Sequence, residues 1–354
     1  MSRNDFRRRQ ARRQRRKLVR HLPIILALFL AFSALAAGIF ALTRFVLNRQ
    51  PISSASASSS TAKTSSEDPA QPVSSPASGT LAQAAYIAAG YDYDRAIALI
   101  KEDSSLAEDP AALEAIASYE EAKAAHVPAD VQNVPHVFFH SLIMDTAKAF
   151  DGDSRTPGYN SVMTTKDEFL KMLDAFYEDG YVLVRIRDIA SETTDENGNT
   201  VFSWGEILLP EGKKPLVMSQ DDVCYYPYME KDGFARRIVI GEDGKPTTEM
   251  VMEDGSISTG PYDLIPILED FIEEHPDFSY KGARAIIAFT GYEGILGYRT
   301  AASYSDSPDY EQDREQAAKV AQCLRDNGWE LASHSWGHLW MGVSSVPGET
   351  FKIS

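Results

Sequence analysis

Two adjacent acids, Asp221 and Asp222, close an apolar run, KPLVMSQDD (214–222). Two histidines, His334 and His338, stand four residues apart at the end of another run, WELASH (329–334). A third histidine, His140, ends VPHVFFH (134–140). Imidazole nitrogens and carboxylate oxygens hold zinc at hydrolytic sites, where two His and one carboxylate leave a position open for water. Four-residue spacing puts two side chains on one face of a helical turn, so His334 and His338 read as a ligand pair. A carboxylate from a neighbouring strand end makes a third ligand. The ion lowers the pKa of a water and polarises a carbonyl oxygen, and a second carboxylate takes the proton as general base. One Asp on the ion and its neighbour as base divides that work. The set accepts zinc, cobalt or nickel.

Such chemistry needs elements that deliver these groups to one edge. Strand-like runs at 134–140, 181–186, 214–222, 283–291 and 329–334 alternate with helical patterns at 166–177, 263–275 and 314–328. That order predicts an α/β fold with a parallel sheet or barrel. Functional groups of such folds collect at the carboxyl ends of strands, where all three groups fall. Insertions interrupt the order around 194–202 and about 235–258, the second with two Asp-Gly turns that predict a small hairpin meander. Residues 81–127 read as two or three short helices, one opened by Asp109 and Pro110. One such unit is too small for a solenoid and reads as a spacer packed on the next domain.

The N-terminus carries a different signal. Residues 1–20 hold ten Lys and Arg against one acid, and Leu22 to Thr43 carry no charge. At about 1.5 Å per residue that run spans a bilayer core. The basic residues 1–21 then form a cytoplasmic tail, 22–43 a single transmembrane helix, and the remainder of the chain lies outside the cell. A cleaved signal peptide competes with this reading, but the run is longer than a signal core. Residues 51–79, rich in Ser, Ala and Pro, predict a disordered linker. Residues 1–50 hold 12 of the 35 basic and one of the 51 acidic residues, which leaves 23 against 50 beyond them. So acidic a domain repels polyanions, which argues against nucleic-acid binding but not against a neutral or cationic glycan. Cys224 and Cys323 are too few for a disulfide framework.

The run from Val134 to Ser354 resembles the polysaccharide deacetylase family of carbohydrate esterases. VPHVFFHSLI resembles the family's opening strand, and FLKMLDAFYEDGYVLVRIRDI the helix and strand after it. KKPLVMSQDDV sits where the family has a strand ending T-F-D-D. RAIIAFTG and NGWELASHSWGH resemble its later strand and histidine motif. The resemblance implies a distorted (β/α) barrel, here incomplete, with Asp221 as general base and Asp222, His334 and His338 as metal ligands. It implies hydrolysis of an N-acetyl, sometimes O-acetyl, group on a cell-surface or wall polysaccharide. The general acid and a bracing Arg would come from segments after the histidine pair. Only 16 residues follow His338 and hold none of these, so the chain reads as a C-terminally incomplete fragment.

Ser219-Gln220 replaces the family's Thr-Phe, and Gln220 is expected to line the pocket. His140 is a candidate pocket residue, and Trp336 a wall of the site. Tyr225, Tyr226 and Tyr228 suit sugar stacking or packing equally. Tyr292, Glu293 and Arg299 read as loop rather than cleft. The alternative function is a non-catalytic glycan-binding or scaffolding protein that kept the fold.

Overall fold

A computed structural model describes residues 79–338. The expected basic tail and membrane span, nearly all of the expected linker, and everything after His338 lie outside the described residues. No helix among the described residues is long and apolar enough to cross a membrane.

Three helices come first: α1 (Thr80–Ala89), α2 (Tyr93–Glu102) and α3 (Pro110–Ala124). Asp109 caps α3, its carboxylate accepting from the Ala111 and Ala112 amides, with Pro110 in the first turn. Small residues, Ala84, Ala88, Ala96 and Ala112, let the helices close on Ile100. The group also packs on the segment around 277–281. The Lys281 amide donates to the Gly90 carbonyl at 2.7 Å, and the Tyr91 hydroxyl donates to the Asp277 carbonyl at 2.8 Å.

The main sheet follows the predicted alternation. Its strands are β1 (His136–Phe139), β2 (Tyr181–Leu183), β5 (Lys214–Gln220), β9 (Ile286–Phe289) and β10 (Glu330–Ser333). Between them lie α4 (Lys166–Glu178), α5 (Leu264–Glu274) and α6 (Tyr310–Asp326). Two hairpin insertions separate the sheet's strands: a ribbon of β3 (Ala190–Thr194) and β4 (Thr200–Trp204), and a meander of β6 (Arg237–Ile240), β7 (Pro246–Val251) and β8 (Ile257–Gly260). All main-sheet pairings are parallel, in the order β1-β5-β9-β10, with β2 also pairing the start of β5. The sheet is open between β1 and β10, so the described residues form no closed barrel. The fold is a mixed α/β one in which helices cover one face of a parallel sheet.

Sequence chemistry explains the pieces. Pro215 to Gln220 are all buried, as expected of a central strand flanked by parallel neighbours. A capping box starts α4: the Thr165 hydroxyl accepts from the Glu168 amide, and the Glu168 carboxylate accepts from the Thr165 amide. Phe169 and Leu173, one turn apart, go fully into the core, each contributing about 1.5–3 kcal/mol. α5 buries Leu264, Ile265, Leu268 and Ile272 on the same sheet face. The opposite face is filled only at the strand starts, by Val182, Val184, Ile207, Leu209, Val217 and Tyr280. Towards the carboxyl ends that second face stays open, with Phe138 59% exposed.

Candidate functional site

Strand alternation sorts the residues at the end of β5. Ser219 and Asp221 point to the open face, whereas Met218 and Gln220 point to the helix-covered core. Gln220 is fully buried, and its amide nitrogen donates to Asp263 Oδ2 at 2.8 Å. It therefore does not line a pocket, contrary to expectation, because the two-residue period turns it inward. The register pairs Phe139 with Gln220, so His136, Phe138 and His140 share the open face with Ser219 and Asp221. The Asp221 amide closes this ladder on the Phe139 carbonyl at 2.7 Å.

Beyond the ladder the chain turns sharply. Asp222 and Tyr225 both have φ of 54°, a left-handed conformation that a non-glycine residue adopts only when its surroundings hold it. Three anchors do so here. The Tyr226 hydroxyl donates to Asp222 Oδ1 at 2.8 Å. Burial, reinforced by Asp222, holds that phenol far above its ordinary range, so it stays a donor. The Tyr225 hydroxyl donates to Asp263 Oδ2 at 2.6 Å. The Arg299 guanidinium donates to the carbonyls of Tyr225 and Glu293. Tyr225 is 2% exposed, which removes it as a sugar platform and makes it a packing residue. Of the three tyrosines only Tyr228 is exposed, stacked on Tyr226 at 5.6 Å. Burial pushes the Cys224 thiol up to about 12. Cys224 and Cys323 are both free.

Asp263 is the node beneath this edge. Its buried carboxylate accepts from the Leu142 and Leu264 amides, from Gln220 and from Tyr225. It thereby ties the chain after β1, the end of β5 and the start of α5 into one unit. Burial pushes its pKa above the usual carboxylate range, against the pull of its donors.

His136 was not among the expected site residues. Its Nε2 lies 2.9 Å from Ser219 Oγ, and that hydroxyl donates to Asp221 Oδ1 at 2.8 Å. A continuous chain thus runs from an exposed imidazole through a buried hydroxyl to the expected base. Since Ser219 spends its proton on Asp221, it accepts from His136 Nε2–H. The spacing of His136 and His140 in VPHVFFH was a usable signal, because four residues on a strand return to one face. Ser219→Ala should remove the bond that orients the Asp221 carboxylate. The urea midpoint should then fall by an amount equivalent to about 1–2 kcal/mol, the net worth of a bond to a charged group.

His140 sits beside Asp221 on the neighbouring strand, with Nδ1 3.3 Å from the Val162 carbonyl. That contact fits Nδ1–H as donor and Nε2 as the nitrogen left to act.

The histidine pair is built differently from the helical turn expected. The His334 amide donates to the Phe289 carbonyl at 2.7 Å, which extends β10 to His334 itself. Ser335 (φ 72°) and His338 (φ 48°) then curl the chain through left-handed turns rather than a helix. The two rings still meet, with centroids 5.2 Å apart. Trp336 is 44% exposed, and its carbonyl accepts from the Tyr292 amide. Its ring packs so close to Gly291 that a Cβ there would stand 2.9 Å from it, which places the indole as a wall at this edge.

Only β9 separates the acid pair from the histidine pair, and neighbouring strands lie about 4.8 Å apart. Thr290, at the end of β9, is buried with no hydrogen-bond partner for its hydroxyl. Two carboxylates and two imidazoles are in kind the donors of a divalent hydrolytic site. Among the described residues, however, no three His, Cys, Asp or Glu side chains converge tightly enough to hold an ion. Among the described residues the two imidazoles meet, and no third such side chain is drawn to them.

No protein-family model, curated protein or solved structure matches the chain.

Proposed function

We propose that this chain hydrolyses acetyl groups, N-acetyl above all, on a cell-surface or wall polysaccharide, using a divalent ion, zinc first among candidates. The N-terminal apolar run would hold it on the outer side of the membrane. One observation carries the reading: an acid pair and a histidine pair lie at the carboxyl ends of strands one apart in a parallel sheet, beside an open face. Bound between Asp222, His334 and His338, the ion would supply an activated water and polarise the acetyl carbonyl.

The chain's own residues have separable tasks. Asp221 would act as general base at Oδ2, while Ser219 holds Oδ1. Tyr226 fixes the Asp222 carboxylate. Trp336 and Phe138 border the open face along which a sugar chain lies. The acidic surface suits a neutral or cationic glycan and disfavours a polyanion.

A non-catalytic glycan-binding reading is favoured by the incomplete convergence of the three ligands. Calorimetric titration of zinc into the full chain separates the two. The hydrolytic reading expects one ion per chain, with affinity reduced about 100-fold or more by His334→Ala or Asp222→Ala. No binding by the unaltered chain would overturn the metal assignment.

A further inference from the structure

The ribbon of β3 and β4 has no part in the site described above. Every residue of β4 is exposed, as are all of β3 except Ala190. An isolated two-stranded ribbon in water is marginal, so its survival here requires local anchors. Two are present. At the root, the Gly205 amide donates to the Ile189 carbonyl at 2.7 Å, so close that a Cβ on Gly205 would stand 2.0 Å from the Asp188 carbonyl oxygen. At the tip, the Asp195 carboxylate accepts from the Asn197 and Asn199 amides and from the Asn199 side chain.

The ribbon's two faces differ. The pairing sets Glu192 against Phe202 and Ala190 against Trp204. One face therefore presents Phe202, 74% exposed, and Trp204, 61% exposed, with Glu192 and the threonines Thr194 and Thr200. The rings lie two residues apart, about 6.8 Å along the strand. The other face presents Ser191, Thr193, Val201 and Ser203. Residues 190–204 contain three acids and no Lys or Arg. Such a surface repels nucleic acid and anionic lipid but attracts ammonium groups, through carboxylates and through the faces of Trp and Phe.

The ribbon's root is also tied to the strand that carries His334. The Ile186 amide donates to Glu330 Oε2 at 3.0 Å, and Arg187 lies 3.5 Å from Glu330 Oε1. Glu330 precedes His334 by four residues, about 13 Å of strand, and shares its face.

We propose that this ribbon holds the amine-bearing glycan chain that deacetylation yields, with sugar rings and ammonium groups against Phe202 and Trp204 and a charge contact to Glu192. The inference rests on the deacetylase reading for the origin of the amine.

The test uses the full chain in detergent micelles, with chitosan oligosaccharide, its fully N-acetylated counterpart and a cellulose oligosaccharide as probes. Binding is followed calorimetrically at low and high salt. The amine-bearing probe should bind best, and Trp204→Ala and Phe202→Ala should each weaken it about tenfold. Glu192→Gln should flatten its salt dependence. Unchanged urea midpoints would show that these surface variants fold. Affinity unaltered by Trp204→Ala, or equal binding of all three probes, would overturn the proposal. So would loss of self-association by light scattering as the variant's sole effect, since the face would then join two copies. Acetate release is scored separately, so an inactive chain that still binds chitosan through Trp204 refutes the deacetylase reading and not the platform.

Discussion

Replacing Asp263 with alanine should cost about 3–5 kcal/mol of stability, measured by urea denaturation. The side chain is fully buried and accepts four hydrogen bonds, from Leu142, Leu264, Gln220 and Tyr225. Alanine leaves those donors buried without partners, and the penalty for each far exceeds the net value of a bond made. The loss should also free Tyr225 and with it the strained turn at Asp222. The pH dependence has a defined sign. Because burial raises the folded-state pKa of Asp263, the folded chain binds more protons than the unfolded one over that window. This group's contribution to stability is full below the unfolded pKa and is lost as pH rises through the folded value. Asp263→Asn keeps the shape and should remove that slope, but its amide nitrogen cannot accept, so part of the stability loss remains. A urea midpoint unchanged by Asp263→Ala would refute its role as the node of the site.

The second large effect is on turnover. Asp221→Asn should lower kcat by about 10²–10⁴-fold, the range associated with a lost general base. Asparagine keeps Oδ1 as acceptor for the Ser219 hydroxyl, so the strand end should remain folded. It loses only the ability to take a proton. A stability curve superimposable on that of the unaltered chain, together with the loss of turnover, would assign the effect to chemistry. A change of less than about tenfold would move the base elsewhere, with His140 the nearest group on the same face.

Much of the sheet was legible because period and composition coincide. KPLVMSQ reads as a buried central strand and is one, and the Asp243-Gly244 and Asp254-Gly255 turns mark the meander that forms. Helix α4 forms where the helical pattern at 166–177 predicts it. What failed was the geometry between elements. Four-residue spacing suggested a helix for His334 and His338, but the ladder bond from the His334 amide carries the strand to that residue and leaves the turn to left-handed backbone. Gln220 and Tyr225 looked like pocket residues by proximity to the acids, but strand alternation turns Gln220 inward and the buried carboxylate of Asp263 holds both side chains there. Asp263 lay inside the run read as a helix, and nothing in DLIPILEDFIEEH shows that two other segments would converge on it. His136 was hidden in plain alternation, two strand repeats before His140. The barrel was expected from resemblance, and pairing alone decides whether a sheet closes.

The most direct test of the central claim is acetate release from an acetylated chito-oligosaccharide by the full chain, assayed with zinc and again after chelation. The proposed function predicts acetate formed with a matching appearance of free amine, abolished by chelator and restored by the ion. No acetate above background with saturating zinc, from a chain shown to be folded, would contradict it and leave the glycan-binding reading in its place.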